Sequence, residues 1–211
     1  RLWVEEMFEK KDSITFGIKV VVCPPFTALP VVFSEMKNVG FTSVAIGSQN
    51  ISLDAEIKST GEVLPELIRE YADYVIIGHS ERRKKCSETD EIVVQKLKLA
   101  KENGLTPIVC VENSDQAEAL KNIFDPEKDI IAYEPPSAIG TGNPASPDEV
   151  DKVALQIKDI LPGASVLYGG SVNGGNASAF LKGNQICGFL IGDKSSDPSF
   201  FLDVINCFPK I

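Results

Sequence analysis

The apolar positions of this chain fall into short runs that alternate with amphipathic stretches from one end to the other. Most runs are near-continuous rather than alternating with polar residues, which is typical of strands in a parallel sheet whose outer face is covered. We predict seven strands, at residues 19–23, 43–47, 74–78, 106–111, 130–133, 165–168 and 188–191.

Stretches with helical periodicity precede and separate these strands. The predicted helices cover residues 2–11, 64–72, 90–103, 115–123, 147–161 and 198–207. The segment Ser146-Pro147-Asp148-Glu149 has the signals of a helix start, namely an N-cap, a proline at the first helical position and acids in the first turn. Asn103-Gly104 predicts a left-handed C-cap.

Strand–helix alternation is compatible with an open doubly wound sheet or with a closed (β/α) barrel. No linker, low-complexity tract or charge block divides the chain, so we predict a single domain over residues 1–211. A barrel of this class has eight strands, one more than the pattern gives, and this chain opens on a helix. We therefore expect an α/β fold, a (β/α)8 barrel, whose first strand is cut off, omitted or never encoded.

Composition narrows the functional classes. Hydrophobic residues make up 43% and charged residues 24%, as in ordinary globular proteins, and no apolar run approaches the roughly 18–20 residues of a membrane span. Thirty acidic and 21 basic residues give a net charge of −9, which disfavours nucleic acid or an anionic membrane as a partner. A small anionic substrate stays compatible, because backbone amides and one or two cations can hold a phosphate.

The cysteines and the histidine exclude two further classes. Five widely spaced cysteines and a single histidine argue against a disulfide framework and against a zinc site. We expect a protein of the reducing cytoplasm with neither metal nor cofactor.

Polar residues collect just after the strands, where barrel enzymes keep their active sites. A lone histidine is more often structural, but His79 directly follows an apolar strand and precedes Ser-Glu-Arg-Arg. Glu134 ends another strand at the edge of a Pro-Pro segment leading to Gly-Thr-Gly, so it is either an exposed turn residue or part of a lid. Gln49-Asn50 follows a third strand, and the segments Tyr168–Asn173 and Gly188–Gly192 include the ends of two more.

One carboxylate, one histidine and two glycine-rich loops together suit proton abstraction next to a carbonyl in a phosphorylated sugar. The carboxylate takes the carbon-bound proton, and a neutral imidazole stabilises the developing enediolate. The loops would anchor the phosphate away from the chemistry and use its binding energy to close the lid.

The segments Gly78–Arg83, Tyr133–Gly142 and Tyr168–Val172 resemble the histidine segment, the glutamate with its mobile loop, and the phosphate turn of the triosephosphate isomerase family. Cys23–Thr27 and Thr60–Glu62 also resemble family segments, and the likeness covers nearly the whole chain in order. The resemblance implies a TIM barrel and a cytoplasmic homodimer acting in glycolysis and gluconeogenesis.

By this resemblance each candidate residue receives a role. Glu134 would be the catalytic base and His79 the electrophile. Phosphate would be held at Gly140, Ser171 and Gly192, with Asp193 beside them. Supporting positions would be Glu81, which would orient the catalytic groups, together with Gln49 and Asn50. Arg82, Arg83 and Glu88 would form structural ion pairs, and Thr60, on the interface loop 51–61, would approach the partner subunit's site.

The chain departs from the family pattern in three places. Nothing before Cys23 matches the Asn-x-Lys segment of the family's opening strand. Asp193 stands where the family commonly has glycine, and we expect its side chain to turn to solvent. The lid has Pro136-Ser137 where many members have Val-Trp, and 111–113 departs from the commoner Cys-x-Gly-Glu pattern, as in short members of the family.

Three functions are compatible with these observations. The first is an active isomerase interconverting dihydroxyacetone phosphate and glyceraldehyde 3-phosphate. The second is a catalytically inactive relative that binds a phosphorylated ligand or serves as an interaction scaffold. The third, a pentose-phosphate epimerase, commonly uses metal-binding histidines, which one histidine cannot supply.

Overall fold

Seven parallel strands form one sheet within residues 2–14, 17–53 and 60–209, the ranges that the computed structural model describes. The strands lie in chain order, each hydrogen-bonded to the next: β1 Val20–Val22, β2 Val44–Ser48, β3 Tyr74–Ile77, β4 Thr106–Val111, β5 Ile130–Tyr133, β6 Ser165–Tyr168 and β7 Gly188–Phe189. Every one overlaps a predicted strand. The α/β barrel class is confirmed, with seven strands in the described part of the chain.

The two faces of the sheet bury different side chains, because successive residues of a strand point to opposite sides. Tyr74, Ile76, Ile108, Cys110 and Ala132 form the core of the inner face. The residues between them face the helices and join the larger core, which explains why the strands are apolar without alternation.

Nine α-helices cover the described part of the outer face. They are α1 Leu2–Glu9, α2 Leu29–Val39, α3 Pro65–Arg69, α4 Ser80–Cys86, α5 Asp90–Glu102, α6 Ser114–Glu118, α7 Pro147–Ile160, α8 Ala177–Leu181 and α9 Pro198–Ile205. Short 3₁₀ turns cover Lys11–Ser13 and Asp193–Ser196. Two predicted helices are longer than the observed ones. The helix predicted at residues 2–11 ends at Glu9, and the helix predicted at 115–123 ends at Glu118. No helix in the described ranges is long and apolar enough to cross a membrane.

Both predicted helix-end signals are confirmed. Ser146 Oγ accepts from the Glu149 N–H (3.3 Å), and Glu149 Oε2 accepts from the Ser146 N–H (3.0 Å), which completes a capping box at the start of α7. Gly104, directly after the C-cap of α5, has φ +70°, a conformation that glycine adopts without a steric penalty.

The sequence prediction missed α2, α4 and α8. The start of α2 is rich in Val and Phe, which favours a strand by propensity, yet Pro30 in the first turn and Gly40 (φ +69°) delimit a helix. The helix packs Leu29 and Met36 into the core. Tertiary burial has therefore outweighed local preference.

The helical layer continues across the region between β7 and β1. Helix α1 packs against α2 and α9, and Trp3 Nε1 donates to the Ser195 carbonyl (2.9 Å). Within the described residues, β1 and β7 each pair on one side only. The eighth strand, expected ahead of the first residue, stays a prediction.

Candidate active site

The strand ends bring His79 and Glu134 to the same edge of the sheet. Strands β3, β4 and β5 are neighbours in register, with Ile77 opposite Val109 and Val111 opposite Tyr133. His79 lies two residues past β3, and Glu134 lies directly past β5. Because the strands are parallel, their carboxyl ends meet, and the two side chains converge across β4.

The two side chains are in direct contact. His79 Nε2 lies 3.1 Å from Glu134 Oε1, and the Ser80 N–H donates to Glu134 Oε2 (3.1 Å). Both carboxylate oxygens of Glu134 are thus engaged, and its side chain is 3% exposed. The His79 side chain is 28% exposed, so the imidazole forms the solvent-facing side of the pair.

The backbone of α4 fixes the tautomer of His79. His79 is the N-cap of this helix, and its Nδ1 accepts from the Glu81 N–H (3.3 Å). An Nδ1 that accepts carries no proton, so the neutral ring has its proton on Nε2, facing Glu134. The hydrogen bond to Glu134 raises the pKa of His79, and burial opposes this rise.

A buried thiol lies beside the pair. Cys110, on the inner face of β4, is 1% exposed. Burial, and after it the nearby Glu134 carboxylate, raises the pKa of the Cys110 thiol well above its ordinary value. The thiol therefore stays protonated at neutral pH and is suited to packing against Glu134 rather than to nucleophilic attack.

Two hydrogen bonds tie the segment 135–145, which contains the predicted lid, to the last residue of β6 and to the loop after it. The Ala145 N–H donates to Tyr168 Oη (3.0 Å), and Ser171 Oγ donates to the Ala138 carbonyl (2.7 Å). Gly140 (φ +65°) has open space where a Cβ would point. Ser171 and the lid are thus brought together at the carboxyl-terminal edge of the sheet.

The loop after β7 brings Gly192 to the same edge. The Leu190 N–H donates to the Tyr168 carbonyl (3.0 Å), which extends the β6–β7 ladder toward this loop. Gly192 has nothing within 4 Å of a built Cβ, and the side chain of Asp193 is exposed at the start of a 3₁₀ turn.

The supporting residues lie further from the pair. The Glu81 carboxylate is 62% exposed and pairs with Lys85 (3.3 Å), so only its backbone N–H reaches the site. Gln49 Nε2 donates to the Cys23 carbonyl (2.9 Å), and Asn50 Oδ1 accepts from the Lys96 ammonium (2.7 Å). These two side chains connect the end of β2 to the residue after β1 and to α5.

Two further predictions concern charged and interface residues. Ion pairs of Arg82 with Glu88 and of Arg83 with Asp90 are present, as expected. Thr60 is exposed at the edge of the described residues, and most of its loop, residues 54–59, lies outside them. No group of three or more His, Cys, Asp or Glu side chains in the described ranges could hold a metal ion.

Sequence reasoning missed three contributors: the Ser80 N–H, Cys110 and the Tyr168 hydroxyl. The periodicity of β4 could have placed Cys110 inward, beside the end of β5. The contacts of Ser80 and Tyr168 have no sequence signal, because each depends on a backbone turn and on residues 54 and 23 positions away.

The parallel α/β barrel and the polar residues at its strand ends define a (β/α)-barrel enzyme. A family model described as triosephosphate isomerase matches residues 2–208. The chain belongs to the triosephosphate isomerase family and is an isomerase.

Curated relatives agree with this membership. A triosephosphate isomerase of Synechococcus sp. (strain JA-2-3B'a(2-13)) is 37% identical over 206 residues, covering 89% of this chain and 81% of the relative. That of Aquifex aeolicus (strain VF5) is 35% identical over 215 residues, covering 90% and 86%. That of Dictyoglomus thermophilum (strain ATCC 35947 / DSM 3960 / H-6-12) is 36% identical, covering 89% and 85%.

Proposed function

We propose that this isomerase interconverts dihydroxyacetone phosphate and D-glyceraldehyde 3-phosphate through an enediolate. The observation that carries the proposal is the contact of Glu134 with the Nε2 side of His79 at the strand ends (3.1 Å). A carboxylate acceptor and an imidazole donor lie within one hydrogen bond of each other, as proton transfer at adjacent atoms of a small substrate requires.

In the proposed reaction Glu134 takes a proton from the carbon next to the carbonyl. The electron pair of that C–H bond forms the C=C bond of the enediolate, and the carbonyl oxygen gains negative charge. His79 Nε2–H donates a hydrogen bond to this oxygen. The Glu134 proton then returns to the neighbouring carbon, and a hydroxyl proton moves between the two oxygens, so the product is an isomer of the substrate.

The direct contact between Glu134 and His79 implies a rearrangement when substrate binds. With both oxygens occupied by His79 and the Ser80 N–H, the carboxylate is not free to take a proton from a substrate carbon. Substrate would insert against His79 Nε2 and displace Glu134 toward the reacting carbon. Closure of the lid, with its hinge glycines and its bonds to Tyr168 and Ser171, would accompany this step.

Phosphate binding is proposed for the three loops that follow β5, β6 and β7. Gly140, Ser171 and Gly192 supply backbone or hydroxyl donors there, and the two glycines leave open space for an anion to approach. The exposed Asp193 side chain has room to point to solvent, so its charge need not face the phosphate.

We further propose a cytoplasmic homodimer that serves glycolysis and gluconeogenesis. Thr60, on loop 51–61, would approach the partner's site, and the exposed side chain of Leu53 (40%) on the same loop would be covered by the partner. Sedimentation showing only monomer at micromolar concentration would contradict the dimer.

The function is tested by a coupled isomerase assay with D-glyceraldehyde 3-phosphate. Glu134→Asp withdraws the carboxylate by one methylene, and His79→Gln removes the imidazole. Each should lower kcat by about 100-fold or more, since general acid–base groups contribute about 10²–10⁴-fold.

Glu127→Asp, the same change at an exposed surface position, is the matched control and should leave kcat unchanged. Normal turnover in Glu134→Asp would remove Glu134 as the base. A wild-type protein without turnover that still binds inorganic phosphate would instead identify an inactive phosphate-binding relative.

A further inference from the structure

We propose that Arg83 positions the Glu134–His79 pair by binding the backbone carbonyls of Gly78 and Cys110. The proposal deepens the proposed function and rests on it. Arg83 touches neither substrate nor either side chain of the pair in this account, so its role is that of a positioning residue.

The Arg83 side chain is 10% exposed, and three of its nitrogens are used. Nε donates to the Gly78 carbonyl (2.8 Å), and Nη2 donates to the Cys110 carbonyl (3.3 Å). Nη1 pairs with Asp90 Oδ1 (2.6 Å). A planar guanidinium with fixed donor directions can satisfy all three acceptors at once.

The two carbonyls lie just past the end of the β3–β4 ladder, whose last rung is Ile77 opposite Val109. Gly78 leaves the strand with φ +69°, and a Cβ there would meet Val93 Cγ2 at 2.8 Å. Directly after this turn His79 contacts Glu134 (3.1 Å), and the Gly78 carbonyl accepts from Arg83 Nε. The guanidinium supplies the donor that the ladder no longer provides.

The same guanidinium reaches the Glu134 side of the site through Cys110. Arg83 Nη2 donates to the Cys110 carbonyl (3.3 Å), and Cys110 pairs across the ladder with Ala132, two residues before Glu134. One cation therefore fixes the residue before His79 and the residue against which Glu134 packs. One guanidinium therefore links the end of β3 to the end of β4.

Two substitutions separate this role from that of a plain ion pair. Arg83→Lys keeps the charge but cannot reach two carbonyls and Asp90 together, and we expect kcat to fall about tenfold or more with KM within about twofold. Asp90→Asn removes the ion pair and leaves both carbonyl contacts, so kcat should change less than about threefold. Arg82→Lys, at the neighbouring pair with Glu88, is the matched control and should behave like Asp90→Asn.

A second measurement does not depend on turnover. His79 is the single histidine, so one imidazole signal in the NMR spectrum reports its titration. Arg83→Lys should shift the titration midpoint of His79, whereas Asp90→Asn and Arg82→Lys should leave it nearly in place. Equal effects of Arg83→Lys and Asp90→Asn on kcat and on the midpoint would overturn the proposal and leave Arg83 a structural ion pair.

A third measurement uses the wild-type protein, in case Arg83→Lys does not fold. The Arg83 Nε–H should exchange with solvent more slowly than that of Arg69, whose side chain is 47% exposed. Equal exchange rates would show that the bond to Gly78 does not persist, and the proposal would fail. If the wild type lacks isomerase activity, the proposed function fails, while the NMR measurements still decide the role of Arg83.

Discussion

Replacing Glu88 with glutamine should lower the free energy of unfolding by about 3–5 kcal/mol, the cost of breaking a buried ion pair by removing one partner. Glu88 Oε1 accepts from Lys96 Nζ (2.6 Å) and from Arg82 Nε (2.5 Å). The side chains of Glu88 and Lys96 are 5% and 4% exposed, so water cannot replace the lost carboxylate. Glutamine keeps one amide oxygen that can accept from Lys96 beside the Asn50 amide oxygen, but the buried ammonium loses its counter-charge.

The magnitude follows from the charges. Unit charges about 4 Å apart attract by about 4 kcal/mol at an effective dielectric constant near 20, and the observed contacts are shorter. Burial lowers the pKa of Lys96, and the hydrogen bond to Glu88 offsets only part of this lowering. Burial also acts to raise the pKa of Glu88, but the hydrogen bonds from Lys96 and Arg82 outweigh it and lower that pKa.

Urea unfolding at one fixed protein concentration measures the effect. With a slope of about 3 kcal/mol per molar, the loss corresponds to a midpoint shift of about 1–2 M. Glu102→Gln is the matched control, because Glu102 and Lys98 form an exposed pair (57% and 71% exposed), and it should cost less than about 0.5 kcal/mol.

The double variant Glu88→Met with Lys96→Met gives the decisive comparison. It removes both charges together, and it also removes Glu88 Oε2, a buried acceptor with no hydrogen-bond partner. The double variant should cost clearly less than the sum of the two single methionine variants. Additive losses, or a loss below 1 kcal/mol in Glu88→Gln, would refute the reasoning that a buried ion pair joins α5 to the segment between α4 and α5.

Three further outcomes are expected. Tyr168→Phe removes the acceptor of the Ala145 N–H and should lower kcat/KM in the coupled assay by about 2- to 12-fold, in line with one hydrogen bond of about 0.5–1.5 kcal/mol. An unchanged kcat/KM would show that this hydrogen bond does not contribute to lid closure. Asp193→Gly should change KM and inhibition by inorganic phosphate less than twofold, and a large improvement would show that the carboxylate faces the anion. Glu134 raises the pKa of His79, so the folded state binds the imidazole proton more tightly than the unfolded state does. The stability that the pair contributes is therefore complete below about pH 6.5, the ordinary pKa of histidine. It is lost as the pH rises through the pKa of His79 in the folded state. Unfolding midpoints measured across this range should fall with pH in the wild type, and they should fall less in Glu134→Gln.

The strands were predictable from sequence because burial on both faces leaves a plain apolar signal. All seven predicted strands correspond to observed ones, although the last is shorter than expected and ends at Phe189. The capping box at Ser146 and the left-handed Gly104 were predictable for a different reason, since each depends on residues within one helical turn. Helix α2 was not, because its β-branched residues favour a strand until the core is present.

The residues of the candidate site likewise separate into those that could be predicted from the sequence and those that could not. His79 and Glu134 could be selected from the sequence because they directly follow apolar strands, and the structure brings them within 3.1 Å. The orientation of Glu81 could not be predicted, since the first turn of α4 directs its backbone N–H to His79 and its carboxylate to Lys85. The two hydrogen bonds from Arg83 to the carbonyls of Gly78 and Cys110 could not be predicted either, because in the sequence Arg83 is only the second of two adjacent arginines.

The charges of α4 explain how an acidic chain could recognise a phosphate without a basic patch. Each basic side chain of this helix already has an acidic partner: Arg82 with Glu88, Arg83 with Asp90, Lys84 with Glu112, and Lys85 with Glu81. These cations are paired with carboxylates, so the helix leaves little unpaired positive charge for the ligand. Recognition of an anion then falls to donors on the loops after β5, β6 and β7, whose strength depends on direction and close approach rather than on net charge. For this reason the direction of the Asp193 side chain matters more to the proposed function than the overall charge of −9.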